Sequence, residues 1–327
     1  MSFRTEVNFT GPPKKISYRS KVMFAGSCFA AEMAGKMKEG LMPVSCNPSG
    51  VVYNPSSVAE TLRNLITGKV HNEADLWNHK GKWLSFSHYT DFSSHNLEEC
   101  LSRINSSGRE ASLFLKNADY LFVTFGTARI YRRADTGVLV SNCHKIPQSF
   151  FFRELLSPTQ VAEEWNMLLT DLGKFNPGLS VVFTVSPVRH WKDGAHGNQV
   201  SKSVLFLAIE ELLRHKSSPA YFPSYEIMMD DLRDYRFYGD DLLHPSARAV
   251  EYIWEKFSGA FLDDRSRSIW KEVSAINRAS KHRTRSSETA EIEEFRSVML
   301  NRIDSLEARA PEVDFSPLRE FFNDRLK

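Results

Sequence analysis

Several things are missing from this 327-residue sequence, and each omission narrows what the chain is. No C-x-x-C pair occurs: Cys28, Cys46, Cys100 and Cys143 are scattered. That spacing fits neither a disulfide framework nor a structural zinc site, and it reads as reduced, mostly buried thiols in a reducing compartment. No apolar run approaches the roughly 20 residues of a membrane-spanning helix. The segment from Met1 to Ser20 carries Lys14, Lys15 and Arg19 but leads into no apolar core of a secretory signal. Charge of one sign is not in excess, since 42 basic and 40 acidic side chains leave a net +2, which argues against nucleic acid or an anionic membrane as partner. The histidines lack H-x-x-x-H spacing and no glycine-rich phosphate loop is present, so neither a metal nor an organic cofactor is expected. These omissions point to a soluble cytoplasmic protein with no membrane span.

What remains has the composition of an ordinary globular chain, 42% apolar and 25% charged. The length suits one large domain with an appendage. An apolar run at Val22–Ala25 predicts a strand, followed by a helix from Phe29 to Lys38 that Gly40 closes. An extended run, Leu41 to Val44, leads to the turn signal Asn47-Pro48-Ser49-Gly50, and a Ser57/Glu60 capping box predicts a helix that stops at Gly68. Between Val70 and Asn96 periodicity fades into an aromatic- and histidine-rich stretch, expected to be an inserted lobe. Strands are then expected at Tyr120–Phe125 and Leu179–Val185. Helices are expected from Ser157-Pro158 to about Gly173, over Val200–Arg214, and from Pro245-Ser246 to Phe261. Strands alternating with crossover helices predict an α/β fold, a parallel sheet with helices on both faces. After Asp263 a basic linker, Lys281 to Arg285, precedes Ile292, Phe295, Val298, Met299, Ile303 and Leu306 at helical spacing. The expected division is therefore 1–262 and a helical tail, 263–327, whose apolar stripe is a candidate homo-oligomer contact.

Two short segments carry chemistry. Ser27 follows the first strand in Gly26-Ser27-Cys28, and Asp241-Leu242-Leu243-His244-Pro245 lies over two hundred residues later. A serine hydroxyl needs a base to take its proton and a third group to orient that base. Each segment also has a plain alternative. Serine before a helix is commonly an N-cap, D-x-x-H alone is a loose pattern, and Asp240 leaves the choice of carboxylate open. A side chain at the carboxyl end of a parallel strand nevertheless sits where open α/β sheets bind ligands. Cys28 reads as a structural thiol, and His144, Arg189 and His190 as polar groups near strand ends or as substrate contacts.

Ala25-Gly26-Ser27-Cys28-Phe29-Ala30 resembles the signature of the GSCFA domain family. The likeness extends to Asn47-Pro48-Ser49-Gly50 with Tyr53-Asn54-Pro55, Phe125-Gly126-Thr127, Asn142-Cys143-His144-Lys145, and Tyr221 to Pro245. That family is similar to the SGNH, or GDSL-like, hydrolases. The resemblance implies a three-layer α/β/α flavodoxin-like fold, with Ser27 as nucleophile, His244 as base and Asp241 as its orienting acid. The chain departs from SGNH enzymes where they carry an oxyanion-hole asparagine in G-x-N-D; here Gly126-Thr127-Ala128-Arg129 stands instead. Asn142 or Thr127, with the Ser27 and Gly50 N–H groups, are the candidate replacements, and Gly126 and His144 are further candidates for contacting substrate. The expected function is a serine esterase or acyltransferase acting on an acylated small molecule or glycan. The alternative is a binding or scaffold protein that keeps the fold without turnover.

Overall fold

Three runs, Val22–Gly26, Tyr120–Phe125 and Ser180–Val185, form the centre of the fold and are buried along nearly their whole length. Such continuous burial is what a parallel strand covered on both faces requires. In the computed structural model, which describes residues 5–281 and 289–324, the elements in chain order are β1 (Val22–Gly26), α1 (Cys28–Glu39), β2 (Val44–Cys46), α2 (Pro55–Thr67), β3 (Trp77–His79), β4 (Lys82–Leu84), α3 (Leu97–Lys116), β5 (Tyr120–Phe125), β6 (Arg129–Arg133), β7 (Leu139–Val140), β8 (Phe151–Leu155), α4 (Pro158–Phe175), β9 (Ser180–Val185), α5 (Gly194–Leu212), β10 (Ala220–Tyr221), α6 (Ser224–Glu226), α7 (Ala247–Phe261), α8 (Asp264–Lys281), α9 (Thr289–Arg309) and α10 (Ser316–Asp324).

The main sheet runs β10-β9-β5-β1-β2, with β1/β5, β5/β9 and β9/β10 parallel. Taken alone, its strands stand in the order second, first, third, fourth, fifth, which is the flavodoxin-like order. The order reverses between β1 and β5, so a crevice outside the carboxyl ends of those two strands is the expected ligand site. Helices flank the sheet. On one face Met23, Ala25, Leu121, Val123, Phe125, Phe183 and Val185 share a core with Leu62 of α2, Leu115 of α3, Trp165 of α4 and Leu205 of α5. Phe24 and Phe122 stack on the other face, ring centres 5.0 Å apart. Each fully buried Leu or Phe contributes roughly 1.5–3 kcal/mol of transfer free energy, so this double-sided core holds the crevice rim in place.

Several local expectations move. The strand after α1 is Val44–Cys46 rather than Leu41–Val44, because Leu41 takes a left-handed φ of 57° where α1 ends. Helix α2 begins at Pro55: Asn54 Oδ1 accepts from the Ser57 N–H at 2.8 Å, whereas Ser57 Oγ is buried with no partner among the described residues. Proline at the first helical position sacrifices no hydrogen bond, and asparagine is a strong cap. Helix α5 starts at Gly194, six residues ahead of Val200. Helix α3 and the antiparallel sheet β7-β6-β8 have no counterpart among the sequence expectations. The stretch from Val70 to Asn96 holds the β3–β4 hairpin and two short 3-10 turns.

Two compact units emerge. One comprises the segment ending at Phe9, Lys21–Ala34 and Ser45–Ile253; the other comprises Thr10–Ser20, Gly35–Val44 and the chain from Trp254 onward. In the second unit the Trp270 indole donates to Lys36 O at 2.7 Å and the Tyr18 hydroxyl donates to Gly40 O at 2.8 Å. Met299, Ile303 and Leu306 of α9 are buried inside this unit. Val298 of the same stripe is exposed. The basic linker, beyond Lys281, lies outside the described residues. Among the described residues no helix is long and apolar enough to cross a membrane.

Candidate active site

Every candidate site residue lies in the first unit. Strand β1 ends at Gly26, whose φ is +130° and where an added Cβ would lie 2.1 Å from Thr124 O on β5. Only glycine fits there. The next residue, Ser27, is 1% exposed, and its hydroxyl is buried with no hydrogen-bond partner among the described residues. This sets aside the reading of Ser27 as an N-cap. A capping serine would accept an N–H of the first helical turn through Oγ, yet the Ala30 N–H bonds the Ser27 carbonyl at 2.9 Å instead. Leaving a buried hydroxyl unpaired costs on the order of 1–3 kcal/mol, so this one needs a reason other than stability.

Other segments converge on this strand end. Asn47, just past β2, donates its N–H to Phe24 O (2.9 Å) and accepts the Gly26 N–H at Oδ1 (2.8 Å). The Gly26 bond sets which side of the amide is oxygen and leaves Nδ2 buried and unpartnered among the described residues. Gly126, just past β5, donates to Tyr53 O at 2.7 Å. A Cβ added to Gly126 would lie 3.0 Å from His190 Nε2 and 3.5 Å from Ser27 Cβ, so imidazole and serine adjoin one point. The Tyr53 ring meets the His190 ring edge-on at 5.6 Å. Burial, then the nearby Lys202 charge, pushes His190 down to about 4, against an opposing pull from Asp193. His190 is therefore neutral near pH 7 and a weak base. Lys202 is fully buried on α5, donates to Ser186 O at 2.6 Å, and is pushed down to about 7 by desolvation. Cys28 is pushed up, chiefly by burial, which favours the neutral thiol over the reactive thiolate.

The late segment is self-contained. Asp241 Oδ1 accepts the Leu243 and His244 N–H groups, each at 2.9 Å, and Oδ2 lies 2.5 Å from His244 Nδ1. Asp241, not Asp240, is thus the carboxylate that pairs with the histidine. Those two backbone donors and then the imidazole hold it down at about 2. With Nδ1–H facing Asp241, His244 Nε2 is left as the acceptor. Leu242 adopts φ +59°, and a Tyr238–Pro245 bridge closes the loop. The pair is about half exposed. The structure joins Asp241 to His244, whereas neither is hydrogen-bonded to Ser27 Oγ.

The nominated oxyanion donors are largely occupied. Ser27 N–H donates to Thr124 O (3.2 Å), Gly50 N–H to Asn47 O (2.7 Å) and Thr127 N–H to Tyr53 O (3.0 Å). Thr127 Oγ1 lies 2.9 Å from Ser201 Oγ. Asn142 Nδ2 reaches Thr90 Oγ1 at 3.4 Å while its Oδ1 accepts the His144 N–H. His144 Nε2 lies 2.8 Å from Ser85 O, which ties that ring to the Val70–Asn96 lobe. One side-chain donor that was not nominated, Asn47 Nδ2, is buried with no hydrogen-bond partner among the described residues.

A cavity of about 420 Å³ opens beside this cluster, with Tyr53, Thr127, Asn142 and His190 in its wall. The small sheet supplies the far side through Arg129, Tyr131, Phe151 and Arg153. Among the described residues no group of three or more His, Cys, Asp or Glu is assembled to hold a metal.

Sequence reading missed Asn47 as a side-chain donor and missed Lys202 altogether. The signal for Lys202 was there: it continues the apolar stripe Leu205, Ile209 and Leu212 of α5 one turn back, so a lysine stands on a buried face.

Among solved structures, the chain is similar to a carbohydrate esterase family 3 protein from Talaromyces cellulolyticus, at 10% identity and TM-score 0.36 over 73% of this chain and 95% of that one. It is also similar to the acetyl xylan esterase Est2A of the rumen bacterium Butyrivibrio proteoclasticus, at 11% identity and TM-score 0.40 over 78% of this chain and 66% of that one. No curated protein matches it. The GSCFA family model matches residues 21–257, nearly the whole first unit with its signature serine at the end of β1, and the chain belongs to the GSCFA family.

Proposed function

We propose that the protein is an SGNH-type serine esterase or acyltransferase acting on an acylated small molecule or carbohydrate. The observation that carries this reading is the buried, unpartnered Ser27 hydroxyl at the carboxyl edge of β1, beside the point where strand order reverses. His244 Nε2 takes the Ser27 proton as Oγ attacks the acyl carbonyl, and Asp241 holds the resulting imidazolium. The loop carrying the pair closes onto Ser27 when substrate binds, since catalytic hydrogen bonds are often long before the Michaelis complex forms. Asn47 Nδ2 serves as side-chain donor to the developing oxyanion, in the role first sought for Asn142 or Thr127. His244 then returns the proton to the leaving group, and water or an acceptor hydroxyl releases the acyl group from Ser27. The reaction is assigned to residues 1–262, with 263–327 as a helical appendage. Four free thiols suit a reducing, cytoplasmic setting.

The second reading is a binding protein without turnover, favoured by the separation of Ser27 from the Asp241–His244 pair. A fluorophosphonate probe discriminates. The esterase reading expects labelling of the wild type that vanishes in Ser27→Ala and falls strongly in His244→Ala. Folded wild-type protein that takes up no probe would leave the binding reading in place.

A further inference from the structure

The wall of the 420 Å³ cavity carries four cations, Arg129, Arg153, Lys145 and Lys192, against one carboxylate, Asp193. The Asp193 side chain is almost fully buried and is shared: Arg153 Nη2 lies 2.6 Å from Oδ1, and Arg129 Nε lies 3.4 Å from Oδ2. One carboxylate cannot neutralise two guanidinium groups. Both arginine Nε atoms are buried without a hydrogen bond among the described residues. Lys192 adds to the imbalance, because its Nζ donates to the Tyr131 hydroxyl at 2.9 Å and lies 5.4 Å from that ring's centre, while the Arg153 guanidinium lies 5.0 Å from the same centre. Like charges gathered at the wall of a cavity raise one another's energy, and an anion seated among them removes that cost. The volume falls in the range of small-molecule sites, roughly 300–1,000 Å³. Tyr53 and Tyr89 in the same wall add aromatic surface with hydroxyl ends, suited to a polyhydroxylated ring.

We propose that this cavity binds an oxyanion-bearing sugar, a carboxylate or phosphate on a ring, held by Arg129, Arg153 and Lys192, and that the acyl ester presented to Ser27 belongs to such an anionic molecule. The inference rests on the esterase reading only in calling this ligand a substrate. Cavity and serine adjoin through Tyr53 and His190, which line the one and flank the other.

The test is calorimetric titration of the full chain carrying Ser27→Ala with galacturonate, galactose 6-phosphate and galactose. At least one charged sugar is expected to bind about tenfold or more tightly than galactose, and to weaken as salt rises toward about 0.5 M. Arg153→Gln, which keeps most of the side-chain volume, is expected to abolish that preference. The stronger anion identifies the group, carboxylate or phosphate. Galactose bound as tightly as both anions, or no measurable binding of either anion by folded protein, overturns the proposal. Fluorophosphonate labelling of the wild type reads the esterase separately: anion preference without labelling keeps the cavity assignment and removes the esterase, and labelling without anion preference does the reverse.

Discussion

The two halves of the candidate site are built in opposite ways. Ser27, Asn47, His190 and Lys202 are gathered from β1, the turn after β2, the turn after β9 and helix α5, and burial has shaped their chemistry: His190 and Lys202 are both pushed well below their ordinary values by desolvation. Asp241 and His244 lie three residues apart on an exposed loop, and Asp241 is shifted by direct hydrogen bonds rather than by burial. One half is organised by the sheet and leaves its key hydroxyl and amide unpaired. The other is organised by a few residues of chain and is already paired within itself. On the proposed reading, the buried rim would supply nucleophile and oxyanion donor, and the solvated loop the base that approaches after substrate enters.

Neutralising the loop's acid is the strongest way to test the division. Asp241→Asn is expected to lower turnover of an acyl ester by about 10⁴-fold, the size found when the acid of such a triad loses its charge, with thermal stability nearly unchanged because the pair is solvated. A steady-state assay with a melting curve checks both. Activity within a few fold of wild type would remove the loop from the mechanism. On the buried half, Asn47→Ala is expected to lower kcat by about 100- to 1,000-fold with little change in KM, as for loss of one oxyanion donor. Equal loss in Asn142→Ala but not in Asn47→Ala would shift the donor back to Asn142. The gentlest test concerns Lys202. Its folded-state value of about 7 lies below the ordinary 10.5, so between those pH values the unfolded chain binds a proton that the folded chain does not. Stability therefore rises with pH across that window and keeps the full penalty of the buried charge below about 7. Urea midpoints measured from pH 7 to 10 should show this slope, at most about 1.4 kcal/mol per pH unit, and Lys202→Met should flatten it.

Legibility followed the same division. The D-x-x-H pair could be read because its partners are three residues apart, and the structure resolved only which aspartate is used. Strands β1, β5 and β9 announced themselves by apolar runs. Strands β6 to β8 did not, because Arg129–Arg133 and Phe151–Leu155 are polar on one face and short, and their pairing spans a stretch of irregular chain. Asn47 could be read as a turn residue, but nothing near it in the chain tells that its amide is locked onto the Gly26 N–H.

By itself the sequence determined the secondary-structure grammar: the glycine that lets β1 end against β5, the serine that follows it, and the carboxylate and imidazole that close on each other in one loop. These depend on φ/ψ limits and on contacts a few residues long. Only tertiary structure decided that the serine hydroxyl caps no helix, that an asparagine twenty residues on presents a free amide, that a lysine is buried with its ammonium on Ser186 O, and that two arginines share one carboxylate in the neighbouring cavity. Burial and long-range pairing set those properties, and both arise from how distant segments pack, which no local pattern of residues encodes.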